Sequence, residues 1–236
     1  MKKLFTLLAL ITVIFSVTSL TAATYYLHQA GNCSTEWGDA LGNWSNATSI
    51  NCETDLRSSV TAAAQEFKNE YLEQYCTGDN WCYILNYSAG DAVVGYALAN
   101  ATKQYNIVYI ATSAGAGGGS DLAFSSSMTK FFTCDLAGDL DPSTVRNLYN
   151  HNDTNSATIY RIGGYDGWWY SSWLLPGEDD GVIAYHSAAG CTSRGSYNSL
   201  CSCSRYSNNS IAYTCDGYNK DHYEIKTKFV DLLGGY

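Results

Sequence analysis

Ser88 stands in the run Tyr83–Ala97, Y-I-L-N-Y-S-A-G-D-A-V-V-G-Y-A, and this setting suits it to nucleophilic chemistry. Tyr83, Ile84 and Leu85 are β-prone. Asn86–Gly90 reads as a tight turn, and the Ala/Val-rich stretch beyond it has apolar residues at helical spacing. A serine at such a bend stands clear of the sheet, with a helix N-terminus beneath it. The N–H of Ala89 is then free to meet a developing oxyanion. A serine hydroxyl alone is a weak nucleophile. It needs a base to take its proton and a carboxylate to orient that base. Adjacent acids, Asp179 and Asp180, precede Gly181, and the histidines His186 and His222 follow them. Ser113, in a second Ser-Ala-Gly, is a rival nucleophile. Four glycines in the next six residues make a poor helix start there.

These side chains need a frame. Thr24–Leu27 reads as a first strand, ending at His28-Gln29-Ala30-Gly31. Cys33–Cys52 reads as a polar loop. Thr54–Tyr75 is the clearest helix: Thr54 or Asp55 can cap it, and Leu56, Val60, Ala63, Ala64, Phe67, Tyr71 and Leu72 make one apolar face. Ala92–Ala101 is a second helix, Ile107–Ala111 a buried strand, 143–149 a short helix and Thr158–Ile162 an alternating strand. Residues 191–219, rich in Cys, Ser, Asn and Tyr, read as irregular. His222 precedes a last amphipathic helix, Tyr223–Leu233. Strands alternate with helices, so the expected class is α/β, a mostly parallel sheet with helices on both faces.

Residues 1–23 have the pattern of a secretory signal peptide: Lys2 and Lys3, an apolar stretch from Leu4 to Val17, and small residues at Thr21-Ala22-Ala23. The stretch is too short for a convincing membrane span. Residues 24–236 are then expected to fold as one domain, with no repeat and no linker. All nine cysteines lie beyond the leader, which in an exported protein reads as disulfides. Cys33–Cys52 and Cys76–Cys82 are the expected short-loop pairs, and at least two of Cys191, Cys201, Cys203 and Cys215 should pin the irregular segment. Cys201-Ser-Cys203 is too tight for the common zinc knuckle. The net charge of −9 becomes −11 without Lys2 and Lys3, which disfavours nucleic acid and anionic membrane surfaces as partners. Asn-x-Ser/Thr triplets recur, as at Asn43, Asn46 and Asn100.

The residues Asn86-Tyr87-Ser88-Ala89-Gly90 resemble the nucleophile elbow of α/β-hydrolases, with Asn86 in place of the first glycine of G-x-S-x-G. The family orders its triad Ser, Asp, His. Asp180-Gly181-Val182-Ile183 with Ser187-Ala188, and Asp221-His222-Tyr223-Glu224-Ile225, are similar to the acid and base stretches of secreted lipases. Thr112–Leu122 resembles the loop after the strand that follows the elbow. The resemblance spans Tyr25 to Phe229. It implies Ser88 as nucleophile, Asp180 as orienting acid and His222 as base. It implies oxyanion donors at Ala89 and at Ala30, after a His28-Gln29 where lipases have His-Gly. The Gln29 side chain is an alternative donor. No cofactor or metal is implied, and the substrate is a small-molecule or lipid ester.

Other readings compete at several residues. His186 lies six residues beyond Asp180 with no turn signal between them, which favours a packed or surface role. Adjacent residues of an extended segment point opposite ways, so only one of Asp179 and Asp180 can serve. His28 reads as structural and His151 as a surface loop residue. Gly115–Gly119 lacks the Lys and Ser/Thr of a phosphate loop. Asp91 suits the first turn of a helix, yet its charge opposes an oxyanion at Ser88. The tyrosines and tryptophans suit a core, or a rim that grips sugars or lipid. Two functions of different class follow: a secreted ester hydrolase, or an exported binding protein on a degenerate hydrolase fold. Ester hydrolysis by the purified protein separates them.

Overall fold

The computed structural model describes residues 22–29, 47–56, 58–124, 135–151, 153–188 and 213–228. Its centre is a parallel sheet of β1 (Thr24–Gln29), β2 (Thr48–Cys52), β3 (Trp81–Tyr87), β4 (Ile107–Ser113), β5 (Thr158–Gly164) and β6 (Tyr213–Tyr218), in the order β2-β1-β3-β4-β5-β6. Leu27, Ile84, Ile110 and Ile159 lie in one register line across four strands. They belong to the main core, which α1 (Val60–Glu66) and α3 (Gly90–Ala99) cover with Val60, Ala63, Ala64, Val93 and Leu98. Side chains alternate along a strand, so the residues one step away face the other side. There Tyr26, Tyr83, Tyr109 and Tyr160 form a row with ring centroids 4.7, 4.7 and 5.5 Å apart. Such cross-strand aromatic contacts are worth roughly 0.2–1 kcal/mol each and help hold a parallel register.

Several expectations are corrected. The first helix begins at Val60, not Thr54. Ser59 caps it, accepting from Ala62 N at 3.1 Å, because the Thr54 hydroxyl is taken by Gln29 Nε2 at 2.7 Å. The helix runs on through a π-helical turn, Phe67–Leu72, and α2 (Glu73–Tyr75). Part of the segment read as polar loop is β2, and part of the irregular segment is β6. Both are edge strands, and parallel pairing to β1 and β5 outweighs their polar composition. Residues 142–148 form α4 (Pro142–Leu148), capped by Asp141, and α5 (Tyr185–Ala188) follows the acidic pair. Of the last helix expected over Tyr223–Leu233, Glu224–Thr227 is a 3-10 turn with Ile225 buried under the tyrosine face, Lys228 is α-helical, and 229–233 lie outside the described residues.

Cys76 and Cys82 are bridged, with Cα atoms 5.3 Å apart, tying the end of α2 to β3. The expected Cys33–Cys52 bridge is not formed. Cys52 is a free thiol packed in the core, where burial pushes its pKa up. Cys33, Cys134, Cys191, Cys201 and Cys203 lie outside the described residues. Among the described residues, no helix is long and apolar enough to cross a membrane.

Candidate active site

The strand order reverses between β1 and β3, and open α/β sheets bind ligands outside the carboxyl ends of their strands at such a point. Ser88 follows β3 there. Its φ of +53° is the left-handed region, sparsely used by residues with a Cβ. The surrounding bonds over-determine this strained bend. Ser88 N donates to Ser113 O at 3.2 Å, and Ser88 O accepts from Asp91 N at 3.2 Å and Ala116 N at 2.8 Å. Ala89 is the N-cap of α3, so its N–H stands ahead of the helix's own bonding ladder. Ala30 lies outside the described residues. The Gln29 amide, the alternative donor, is instead engaged with Thr54. Asn86 lines a small cavity with Val94, Leu98, Tyr149 and Arg161, which gives its side chain the room that a glycine would not need.

His222 and Asp180 reach Ser88 from two other connections at the same edge of the sheet. His222 Nε2 lies 3.0 Å from Ser88 Oγ, and His222 Nδ1 lies 2.8 Å from Asp180 Oδ2. An ionised carboxylate can only accept, so Nδ1 carries the imidazole proton and Nε2 accepts from the Ser88 hydroxyl. Asp180 Oδ1 accepts from Val182 N at 2.9 Å and Ile183 N at 2.7 Å. The backbone doubles the link, since His222 N donates to Asp180 O at 2.8 Å. Ser88, Asp180 and His222 are 2, 0 and 4 % exposed, so these bonds act in a low dielectric.

The rival residues sit elsewhere. Asp179 turns away and accepts from Gly181 N at 2.7 Å and Ser172 Oγ at 3.0 Å. Burial pushes its carboxyl up against those bonds, and the Asp180 charge adds to the rise. The segment beyond Asp180 is a tight turn and not the extended run expected from its residues. Gly181 has φ +94°, and a Cβ there would meet the Trp168 ring at 2.6 Å. His186 sits on α5 with Nε2 at 3.4 Å from Ser187 Oγ. Ser113 is buried at the end of β4, and its hydroxyl makes no hydrogen bond among the described residues. His151 is not a surface residue: it is 2 % exposed, bonded through Nε2 to Val145 O at 2.9 Å and packed on Tyr149.

Other residues of the site were not singled out by the sequence. Tyr87 donates to His222 O at 2.9 Å and packs its ring 4.9 Å from the imidazole. Trp168 stacks on Tyr223 and donates to Asp221 Oδ2 at 3.0 Å, so one side chain braces both the Gly181 turn and the turn bearing His222. Asp221 caps that turn, accepting from Tyr223 N and Glu224 N at 2.9 Å. Burial raises its pKa, but these bonds and the Trp168 bond outweigh it and leave the carboxyl lowered. Asp91 proves to be more than a first-turn acid. Arg161 of β5 grips it at 2.6 and 2.8 Å, and Gly117 N donates to it at 2.8 Å. A lone arginine in the apolar strand T-I-Y-R-I-G-G was the available signal. The glycine loop after β4 therefore cradles the elbow. At Gly115 a Cβ would meet Asp91 Oδ2 at 2.6 Å. Among the described residues, no cluster of His, Cys, Asp and Glu could hold a metal ion.

No protein-family model and no curated protein sequence matches this chain. Solved structures do. The mature form of the Bacillus licheniformis lipase BlEst2 superposes with a TM-score of 0.59 at 14 % identity, over 91 % of this chain and 92 % of that one. A metagenomic carboxyl esterase gives 0.56 at 15 %, over 86 % and 65 %. The Staphylococcus hyicus lipase gives 0.56 at 9 %, over 90 % and 91 %. At such identities the likeness shows the fold alone, and that fold is α/β-hydrolase-like, as expected from the sequence.

Proposed function

We propose that this chain is an exported serine hydrolase of carboxylic esters. The observation that carries the reading is the hydrogen-bonded line from Ser88 Oγ through His222 to Asp180, starting from a serine at φ +53° on a strand-to-helix bend. Ser88 Oγ attacks the ester carbonyl carbon as His222 Nε2 takes the hydroxyl proton. The carbonyl oxygen becomes an oxyanion facing Ala89 N–H, with Ala30 N–H as the proposed second donor. Loss of one such donor typically slows the reaction roughly 100- to 1,000-fold. The intermediate collapses, and His222 gives the proton to the leaving alcohol. Water then repeats the sequence on the acyl-Ser88 ester and releases the acid. Asp180 holds the imidazole in the required tautomer and stabilises its charged form. Fold neighbours named as lipases and a carboxyl esterase support an ester substrate.

The test is a fluorophosphonate probe, with the adduct located by mass spectrometry. Ser88 should carry it. An adduct at Ser113 would overturn the assignment of Ser88 as nucleophile, and no adduct on folded protein would leave the exported binding protein as the better reading. Removal of His222 (His222→Ala) should lower nitrophenyl butyrate hydrolysis at least ~100-fold, while His186→Ala should keep most of the rate. Export is supported by residues 1–23 and by the Cys76–Cys82 bridge. Sequencing the N-terminus of protein recovered outside the cytoplasm should find Thr24 first.

A further inference from the structure

Asp91 poses a problem for the proposed reaction. It is buried one helical turn after the nucleophile, and an oxyanion must develop beside that turn. A helical turn of about 5.4 Å and a substrate carbonyl about 3 Å beyond it put roughly 8 Å between the two charges. At an effective dielectric of about 20, one uncompensated charge there slows the reaction about 30-fold. Arg161 removes that charge. Its guanidinium meets both carboxylate oxygens, and the two side chains are 2 and 3 % exposed, so solvent does not share the task. The same carboxylate accepts Gly117 N, one residue after the Ala116 N–H that holds Ser88 O.

We infer that Asp91 and Arg161 are a positioning pair of the reaction: Asp91 pins the glycine loop against the elbow, and Arg161 cancels the charge this requires beside the oxyanion. The inference rests on the ester-hydrolase reading. Arg161 touches no reacting atom, so its effect should fall on kcat and leave KM within about 2-fold.

The experiment compares Arg161→Met, Arg161→Lys and the double variant Asp91→Asn/Arg161→Met by nitrophenyl butyrate kinetics, well below their melting temperatures. Arg161→Met should lose about 30-fold in kcat. Arg161→Lys, which keeps the charge, should stay within about 5-fold of the parent. So should the double variant, in which the introduced amide oxygen can still accept from Gly117 N and no lone charge remains. A merely structural role for Arg161 predicts this rescue in melting temperature and not in the kcat of the folded variants. Parent-like kcat in folded Arg161→Met, or a double variant as slow as the single one, overturns the inference. If Arg161→Met does not fold, the other two variants decide, and a 30-fold loss in either overturns it. If the parent enzyme takes no adduct at Ser88, the hydrolase reading falls instead. The pinning role is then read by amide exchange at Gly117, which Asp91→Ala should raise at least ~10-fold and Asp91→Asn should not. Unchanged exchange in Asp91→Ala overturns it.

Discussion

Replacing Asp180 by Asn tests the proposed chemistry while sparing the fold. Asp180 Oδ1 accepts two backbone N–H bonds, from Val182 and Ile183, and Oδ2 faces His222 Nδ1. An asparagine keeps its single oxygen on the two backbone donors, because turning it would leave both unsatisfied at roughly 1–3 kcal/mol each. Its NH2 group then points at His222 Nδ1 and must donate. The imidazole is forced into the tautomer with its proton on Nε2, which cannot accept the Ser88 proton. In the serine-protease template such a change lowers kcat about 10,000-fold, or about 5.5 kcal/mol at about 1.36 kcal/mol per tenfold. Asp180→Asn should therefore lose at least ~100-fold and up to about 10,000-fold in nitrophenyl butyrate turnover, with a melting temperature near the parent's. Asp180→Ala should lose the same activity and also about 2–6 kcal/mol of stability, from the two orphaned N–H groups. Asp179→Asn is the control, since Asp179 binds Gly181 N and Ser172 and not His222. A folded Asp180→Asn that keeps a tenth of the parent kcat would refute the reasoning. So would an Asp179→Asn as inactive as Asp180→Asn.

The strain at Ser88 is readable through stability. Both Ser88→Gly and Ser88→Ala should abolish turnover, but the glycine variant should be about 1 kcal/mol more stable than the alanine variant in urea unfolding, because only glycine is at ease at φ +53°. His28 is buried, which holds its pKa down to about 3. Above about pH 6.5 the ring is neutral in both states and adds no pH dependence. Below that the unfolded chain binds a proton that the folded chain refuses, so stability should fall by up to about 1.4 kcal/mol per pH unit from 6.5 towards 3. Melting curves between pH 4.5 and 7.5 should show this slope, and His28→Asn should flatten it. Replacing Cys76 and Cys82 together by Ser opens a short loop worth about 2 kcal/mol. The urea midpoint should drop accordingly, with the kcat of the folded variant kept, because the bridge lies at the opposite end of β3 from Ser88.

Much of this molecule is set by local sequence. The bend at Ser88 follows from β-prone residues running into an Ala/Val helix former, and the α/β class follows from the alternation of such segments. The Cys76–Cys82 bridge follows from a short connection between two elements. The order Ser88, Asp180, His222 is covalent, and the structure brings those residues together. Each of these is legible because its cause lies within a few residues or in the order of the chain.

Tertiary structure alone decided the rest, and in each case the deciding partner is distant in the chain. β2 and β6 are polar segments that become strands because β1 and β5 offer them a ladder. Thr54 looked like a helix cap, but Gln29, twenty-five residues away, takes its hydroxyl, so the cap passes to Ser59. That Asp180 and not Asp179 meets His222 depends on a turn that Gly181 permits and Trp168 braces. The Asp91–Arg161 pair joins residues seventy positions apart, and its meaning depends on burial. In water the same pair would be worth little, because solvent screens it. Pairing over such distances is fixed by the register of the parallel strands, and its electrostatic weight by the water the fold excludes. Neither quantity exists until the sheet has closed.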